Sequence, residues 1–169
     1  NIKTSTPDRY SHMEQMNITR LEKDLLGSRL VSNEHYYGIQ TLRAIENFQL
    51  THNTLAHFPV FIKAFAMVKW ACAEANYQLQ QLAQNKFESI RYACQKLIAG
   101  EYLTEFPIDM MQGGAGTSTN MNLNEVIANI ALEYLGHEKG QYQYLHPNND
   151  VNMSQSTNDV YPTAIRLAL

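Results

Sequence analysis

The sequence is poor in charge and in cysteine, and each shortage excludes a class of protein. Only 17% of the 169 residues are charged, and the formal net charge is −3. The 13 basic residues are scattered, which argues against nucleic acid as a partner, because an electrostatic nucleic-acid binder needs a basic patch. Two cysteines, Cys72 and Cys94, are too few for a disulfide framework, and we expect buried free thiols rather than a bridge.

Long apolar runs are also missing. No stretch approaches the roughly 18 uninterrupted apolar residues of a transmembrane helix, and residues 1–20 lack the apolar run of a signal peptide. We therefore expect a cytoplasmic protein without a membrane partner, in which residues 1–20 form a flexible polar arm. The six histidines are dispersed and no carboxylate pair stands out, so the sequence predicts neither a metal site nor a general base.

Helical periodicity dominates what is present. Apolar residues at alternating steps of four and three predict a helix that opens with Pro59. Its stripe consists of Phe61, Phe65, Val68, Cys72, Ala75, Leu79 and Leu82. Two further stripes are stopped by Gly100 and Gly136, because glycine readily takes the left-handed conformation that ends a helix. The sequence therefore predicts an all-α fold.

Three weaker signals complete the pattern. A short helix is predicted in residues 41–48, and a hairpin is an open alternative in residues 30–38. Pro162 is typical of the first turn of a last helix, which has no stop signal before Leu169. We therefore expect the chain to be the N-terminal part of a longer protein.

Amides are unusually frequent and clustered. The chain has 15 Asn and 12 Gln, and eight of the Asn lie between Asn120 and Asn158. Amides donate and accept hydrogen bonds without carrying charge. The clustering therefore indicates one region that is built from neutral hydrogen-bonding groups.

A glycine-rich segment lies at the start of this region, in residues 112–122. Three of its glycines precede hydroxyls, amides and a predicted helix. Exposed backbone N–H groups at a helix start make an anion site, although neither a P-loop nor a Gly-x-Gly-x-x-Gly pattern is present. The alternative is a simple turn in which Thr117 or Thr119 caps the helix.

A second polar segment, residues 146–159, also leads into a helix. It consists almost entirely of hydrogen-bonding side chains with little charge. The alternative is a polar loop in which Ser156, Asn158 or Asp159 caps a helix at Pro162. Two such loops could converge on one carboxylate, and their neutral donors would suit charge that builds up during a reaction.

These two segments and a third one upstream match family motifs in the same order. The matching residues are Asp24–Gly27 with Tyr36–Phe48, Gly114–Val126, and Ser154–Thr163. On these residues the chain resembles the aspartase/fumarase superfamily, over residues 21–169.

Within the superfamily the details are similar to the aspartases. Fumarases typically carry Ser in place of Ala115, Gln in place of Ser118, and Ser-Ser-Asn in place of Ser156, Thr157 and Asn158. A class II fumarase is the alternative within the superfamily. A non-catalytic member, similar to a lens crystallin, is the alternative outside the enzymes.

The resemblance implies a helical domain in residues 21–156 and the start of a truncated central bundle helix in residues 157–169. It implies an ammonia-lyase that converts L-aspartate to fumarate through an aci-carboxylate intermediate. The catalytic base is expected downstream of Leu169, so the fragment alone would be inactive. The full-length form would be a homotetramer with no required cofactor, and activation by a divalent metal stays open.

The resemblance also implies which residues bind the substrate. Thr117, Ser156 and Thr157 match positions that bind the reacting carboxylate, and Asn158 matches a position near the amino group. The other clustered asparagines, among them Asn120, are expected to hold loops and helix starts in place.

Overall fold

A β-hairpin opens the computed structural model, which describes residues 18–112 and 114–169. Strands β1 (Thr19–Asp24) and β2 (Gly27–Ser32) pair antiparallel, with Thr19 opposite Ser32 and Asp24 opposite Gly27. The hairpin therefore begins well before residues 30–38, where the sequence placed it. Thr19 and Arg20 belong to β1, so the folded part starts before the expected boundary of the arm, while residues 1–17 lie outside the described residues.

The predicted position of the hairpin was wrong because β1 buries a charged side chain and exposes an apolar one. In β1 the apolar Leu21 is 70% exposed, whereas the charged Glu22 is only 3% exposed. Arg20 donates to the backbone carbonyls of Ser32, His35 and Tyr37, which ties the strand to the chain that follows it. A buried acid next to an exposed leucine hides the apolar alternation that identifies a strand.

Helices account for most of the remaining described residues. The α-helices are α1 (Ile39–Asn47), α2 (Pro59–Gln78), α3 (Gln84–Ala99), α4 (Thr117–Tyr134) and α5 (Thr157–Ala168). Short 3₁₀ turns occupy Leu55–His57 and Leu103–Glu105, and one π turn occupies Pro147–Val151. No helix within the described ranges is long and apolar enough to cross a membrane.

Helix α4 lies at the centre of the packing. Helix α2 packs on α3 and α5, α3 packs on α4, and α1 also packs on α4. From Thr119 to Leu132 every α4 residue except Met121 is buried, so polar side chains of the helix lie inside the protein. Gly100 and Gly136 follow α3 and α4 at φ +89° and +80°, which confirms both predicted stops.

The stripe predicted for α2 is only half right. Phe61, Phe65 and Val68 are buried, but further along it is Lys69 and Asn76 that face the core, and Leu79 is exposed. Polar side chains take these buried positions because they bond a loop that arrives from far along the chain. The two cysteines are free, as predicted, with Cys94 buried and Cys72 partly buried.

Two buried carboxylates hold the start of α1. Glu125 of α4 accepts from the backbone N–H groups of Gly38, Gln40 and Thr41 and from the Thr41 hydroxyl, at 2.6–3.0 Å. Glu22 accepts from the N–H of Ile39 at 2.8 Å. Carboxylates at a helix N-terminus satisfy its unpaired donors and oppose its dipole.

Gly38 makes this arrangement fit. A Cβ on Gly38 would lie 2.6 Å from Glu22 Oε2 and 2.9 Å from Glu125 Cδ. Burial, and then the neighbouring Glu22, raises the pKa of Glu125 to about 7. Glu22 and Glu125 therefore fasten the hairpin, α1 and α4 together.

Candidate functional site

The two polar segments meet at the starts of α4 and α5. Asn120, in the first turn of α4, donates through Nδ2 to Thr157 Oγ1 at 3.1 Å and to Asn152 Oδ1 at 3.0 Å. The ring of Tyr161 in α5 lies against Gly116, where a Cβ would come within 2.4 Å of a ring carbon. The predicted convergence of the two segments is therefore present in the structure.

The start of α4 leaves backbone donors open. Gly116 precedes the helix at φ +82° and makes no side-chain cap. The side chain of Gln112 bonds the first turn of the helix instead. Its Oε1 accepts from the Thr119 N–H at 3.1 Å, and its Nε2 donates to the Thr119 hydroxyl at 2.7 Å. The alternative in which Thr117 or Thr119 caps the helix was therefore wrong. The N–H groups of Thr117 and Ser118 have no acceptor among the described residues.

The start of α5 lies about one and a half turns before Pro162, where the proline signal placed it. Ser156 is the cap, and its Oγ accepts from the Asn158 N–H at 3.2 Å. The helix therefore begins at Thr157, and Pro162 lies inside it rather than in its first turn. A proline there has no N–H to donate to the carbonyl of Asn158, so the helix lacks one backbone hydrogen bond at this point.

A cleft of about 350 Å³ opens between the two helix starts. Its walls are Met110, Gln112, Gly114, Ala115, Gly116, Asn158, Tyr161 and Pro162. Of the four predicted substrate-binding residues, Asn158 lines the cleft, while Thr117 and Thr157 directly adjoin wall residues in the chain. Thr117, Ser156 and Asn158 are exposed and Thr157 is half-buried, and Ser156 neither lines the cleft nor adjoins a wall residue in the chain.

Both helix starts favour an anion. The N-terminus of each helix carries a partial positive charge and unpaired N–H groups. The hydroxyls beside them are neutral donors that can turn towards a carboxylate. No group of three or more His, Cys, Asp or Glu side chains suited to a metal ion occurs among the described residues.

Asp109 fixes the chain where it enters the glycine-rich segment. Its carboxylate accepts from the N–H groups of Leu50, Thr51 and His52 at 2.6–3.0 Å, and from that of Met111 at 2.8 Å. Burial alone would raise the pKa of Asp109, but these backbone bonds hold it well below its usual range. Sequence reasoning missed Asp109, because three of its four backbone partners lie more than fifty residues upstream.

The clustered asparagines bond the helix starts and loops around the site. Asn120 joins the two helix starts, as described above, and Asn122 Nδ2 donates to the carbonyl of Glu105 at 2.9 Å. Asn152 Nδ2 donates to the carbonyl of Gln155 at 3.2 Å, within the loop that precedes α5. The predicted role in holding loops and helix starts is confirmed for Asn120, Asn122 and Asn152, whereas Asn124 Nδ2 contacts Met121 Sδ in its own helix.

Lys69 is a second residue that sequence reasoning missed. Its Nζ donates to Asn152 Oδ1 at 2.9 Å and to Gln155 Oε1 at 2.8 Å, so it anchors the loop before α5 from the side of α2. Its place four residues after Phe65, on the buried face of a helix, was an available signal. A lysine there is ordinarily assigned to the solvent face.

A sequence profile of the lyase family matches residues 27–169. The chain is 60% identical to the aspartate ammonia-lyase of Pseudomonas aeruginosa over 157 residues, which are 93% of this chain and 33% of that enzyme. It is 51% identical to the aspartate ammonia-lyase of Escherichia coli over 154 residues, which are 90% of this chain and 32% of that enzyme. The chain thus spans about a third of the length of these curated relatives.

Solved structures share the fold. A protein of Brucella melitensis described as fumarate lyase:delta crystallin superposes with a TM-score of 0.88 at 59% identity, over 89% of this chain and 35% of that one. A class II fumarase of Schistosoma mansoni superposes with a TM-score of 0.83 at 36% identity, over 89% of this chain and 31% of that one. These likenesses confirm the all-α superfamily fold that the motifs predicted.

Proposed function

Because this chain belongs to the lyase family, we propose that it is the carboxylate-binding part of an aspartate ammonia-lyase. The complete enzyme converts L-aspartate to fumarate and ammonia. We further propose that the complete enzyme is a homotetramer in the cytoplasm. In each subunit, residues 21–156 form the N-terminal helical domain and residues 157–169 begin a central bundle helix.

The reaction places specific demands on such a site. A base removes a proton from the carbon beside the side-chain carboxylate of aspartate. The electron pair moves onto that carboxylate, which becomes an aci-carboxylate with more negative charge, and its return expels the amino group as ammonia. Donors that bind this group more strongly as its charge grows lower the barrier, because they favour the transition state over the ground state.

One observation carries the proposal: the starts of α4 and α5 meet at one cleft, joined by the two hydrogen bonds of Asn120. Two helix starts that border one cleft provide positive potential without a fixed counter-ion. A carboxylate that gains charge during turnover is the ligand that this arrangement fits best.

We assign the roles in the site accordingly. Thr117, Ser156 and Thr157 donate to the reacting carboxylate, and Asn158 lies near the amino group. The base is placed downstream of Leu169, so residues 1–169 alone are expected to be inactive. The higher identity to aspartate ammonia-lyases, 60% against 36% for the class II fumarase, favours aspartate over malate as the substrate.

The test is a comparison of two substrates with the full-length protein. Fumarate formation is followed by its absorbance with L-aspartate and, separately, with L-malate. Turnover of aspartate alone is the expected result. Turnover of malate alone would replace the proposal with a fumarase, and turnover of neither would favour a structural, crystallin-like role.

A further inference from the structure

Lys69 is a buried cation beneath the loop that leads into α5. The residue is 0% exposed, and within the described part of the chain its Nζ bonds only the neutral amide oxygens of Asn152 and Gln155. None of the ion pairs formed by the described residues includes it. A buried ammonium without a carboxylate partner costs several kcal/mol, on the order of a whole domain's net stability. Its presence therefore calls for a functional reason.

Two amides connect this charge to the candidate site. Asn152 Oδ1 accepts from Lys69 Nζ at 2.9 Å and from Asn120 Nδ2 at 3.0 Å. The same Asn120 Nδ2 donates to Thr157 Oγ1 at 3.1 Å. Lys69 thus lies at the far end of a short hydrogen-bonded chain that ends on a hydroxyl assigned to the substrate carboxylate.

No described neighbour neutralises the charge. The titratable groups that face Lys69 are two thiols, Cys72 on α2 itself and Cys94 on α3. Burial raises the pKa of Cys94 to about 12 and also raises that of Cys72, so both thiols are uncharged near neutral pH. The loop before α5 faces Lys69 with amides, and the ring centroid of Phe65 lies 5.5 Å from its Nζ.

The charge of Lys69 can change without loss of its bonds. Burial lowers the pKa of Lys69 to about 7, so the ammonium loses its proton near neutral pH. An ammonium has three N–H donors and a neutral amine still has two. Both bonds, to Asn152 and Gln155, can therefore survive deprotonation, and the titration changes the potential at the site while the loop stays anchored.

Resting on the proposed function, we infer that Lys69 is a positioning residue that holds the loop before α5 and supplies the counter-charge for the substrate carboxylate. The bound carboxylate is then the anion that this buried cation lacks in the free protein. Linkage makes the effect reciprocal: the protonated form binds the carboxylate more tightly, and the bound carboxylate favours the protonated form. A unit charge about 10 Å away changes the affinity for an anion roughly tenfold at the effective dielectric of a protein interior.

The test measures the affinity for succinate as a function of pH in the full-length protein. Succinate is a dicarboxylate that lacks the amino group, so no titration of the ligand complicates the alkaline side. Its inhibition of L-aspartate deamination should weaken as the pH rises through the Lys69 transition, by about tenfold in total, because the protonated form binds the carboxylate roughly tenfold more tightly.

Two substitutions separate charge from packing. Lys69→Met should bind succinate roughly tenfold more weakly at low pH, with no dependence on pH in that range. Lys69→Arg keeps the charge at every pH and should bind succinate tightly and independently of pH. We expect the pH dependence of succinate binding to be lost in both variants, and tight binding to be kept only in Lys69→Arg.

Matched controls lie on the same helix. Lys63→Met removes a charge from a partly exposed position of α2 and should leave both affinity and pH dependence unchanged. Asn76 is a neutral anchor of the same loop, since its Nδ2 donates to the carbonyl of Met153 at 2.9 Å. Asn76→Leu should weaken succinate binding yet keep the pH dependence, because Lys69 still titrates.

A measurement on the unaltered protein covers the case in which both Lys69 variants fail to fold. Succinate binding at about pH 7.5 should take up roughly half of one proton, as measured by calorimetry in two buffers of different ionisation enthalpy. A protein that deaminates aspartate but binds succinate without proton uptake, or Lys69→Met with an unaltered pH dependence, would overturn the inference alone. A full-length protein that does not turn over aspartate would overturn the proposed function and this inference with it.

Discussion

Replacement of Gly116 by alanine tests whether the contact between α4 and α5 holds the site together. Gly116 precedes α4 at φ +82°, and a Cβ there would lie 2.4–2.6 Å from three ring carbons of Tyr161. Gly136, after the other end of α4, has nearly the same φ of +80° but nothing within 4 Å of its Cβ position. Gly136→Ala is therefore the matched control, with the same backbone strain and no collision.

The difference between the two variants follows from these distances. The left-handed conformation costs an alanine about 1 kcal/mol at either position. At Gly116 the Tyr161 ring must also move by about 1 Å to reach an ordinary carbon–carbon separation of 3.5–4.0 Å. The ring is held by edge contacts with Phe61 and Phe65, at centroid distances of 5.6 and 6.2 Å. Forced overpacking of this kind adds about 1–3 kcal/mol.

Activity should respond more strongly than stability. A shift of Tyr161 displaces the first turn of α5, which carries Thr157 and Asn158. A misplacement of about 1 Å at a reacting group can cost on the order of 100-fold in rate. We therefore expect Gly116→Ala to lose at least tenfold in kcat, whereas Gly136→Ala keeps nearly full activity.

Urea unfolding of the full-length variants at one protein concentration, together with aspartate turnover, measures both effects. In the double variant Gly116→Ala/Tyr161→Ala the collision is gone, so its loss of stability should be smaller than the sum of the single losses by about 1 kcal/mol or more. Equal stability and full activity in the two glycine variants would refute the argument that this contact positions the site.

Three further predictions follow from single residues. Thr157→Ala in the full-length protein should lose far more activity than folding stability; normal turnover would show that the segment is only a helix cap. Because the pKa of Glu125 is raised to about 7, its contribution to stability is present below the usual glutamate pKa and is lost as pH rises through about 7. Urea unfolding between about pH 5 and 8 should show this decline, and a decline of equal size in Glu125→Gln would contradict it. The pKa of Asp109 is lowered rather than raised, so the pH dependence is the opposite. The stabilisation by Asp109 is present above the usual aspartate pKa and is lost in acid. Asp109→Asn should therefore be less stable than the parent at neutral pH, and the difference in their free energies of unfolding should shrink as the pH is lowered. A difference that does not change with pH would refute the assignment.

What the sequence could predict were features with local causes. The stops of α3 and α4 at Gly100 and Gly136 depend on one residue and its φ angle, so both were predictable. The family resemblance was equally accessible, because its motifs are short runs of adjacent residues. Even the error at Pro162 was local, since proline is a sound start signal and Ser156 was already a candidate cap.

What the sequence could not predict are buried polar residues with distant partners. Glu22 lies inward because it caps a helix seventeen residues later, and this inverted the polarity of β1. Lys69 is buried because a loop more than eighty residues downstream brings it amide oxygens. Periodicity assigns such side chains to the surface, since the groups that offset their desolvation are absent from the local sequence.

The amides explain how a buried charge can serve the site without being neutralised by the protein. An aspartate in place of Asn152 would accept the same bonds from Lys69 and Asn120, yet its charge would cancel that of the ammonium. An asparagine accepts both bonds and leaves the positive potential in place. The same reasoning applies to the site's hydroxyls and helix N-termini, which are neutral groups or partial charges. A lyase whose intermediate gains negative charge needs potential that is oriented in advance and not already compensated. The proposed role of Lys69 therefore accounts for an amide rather than a carboxylate at Asn152.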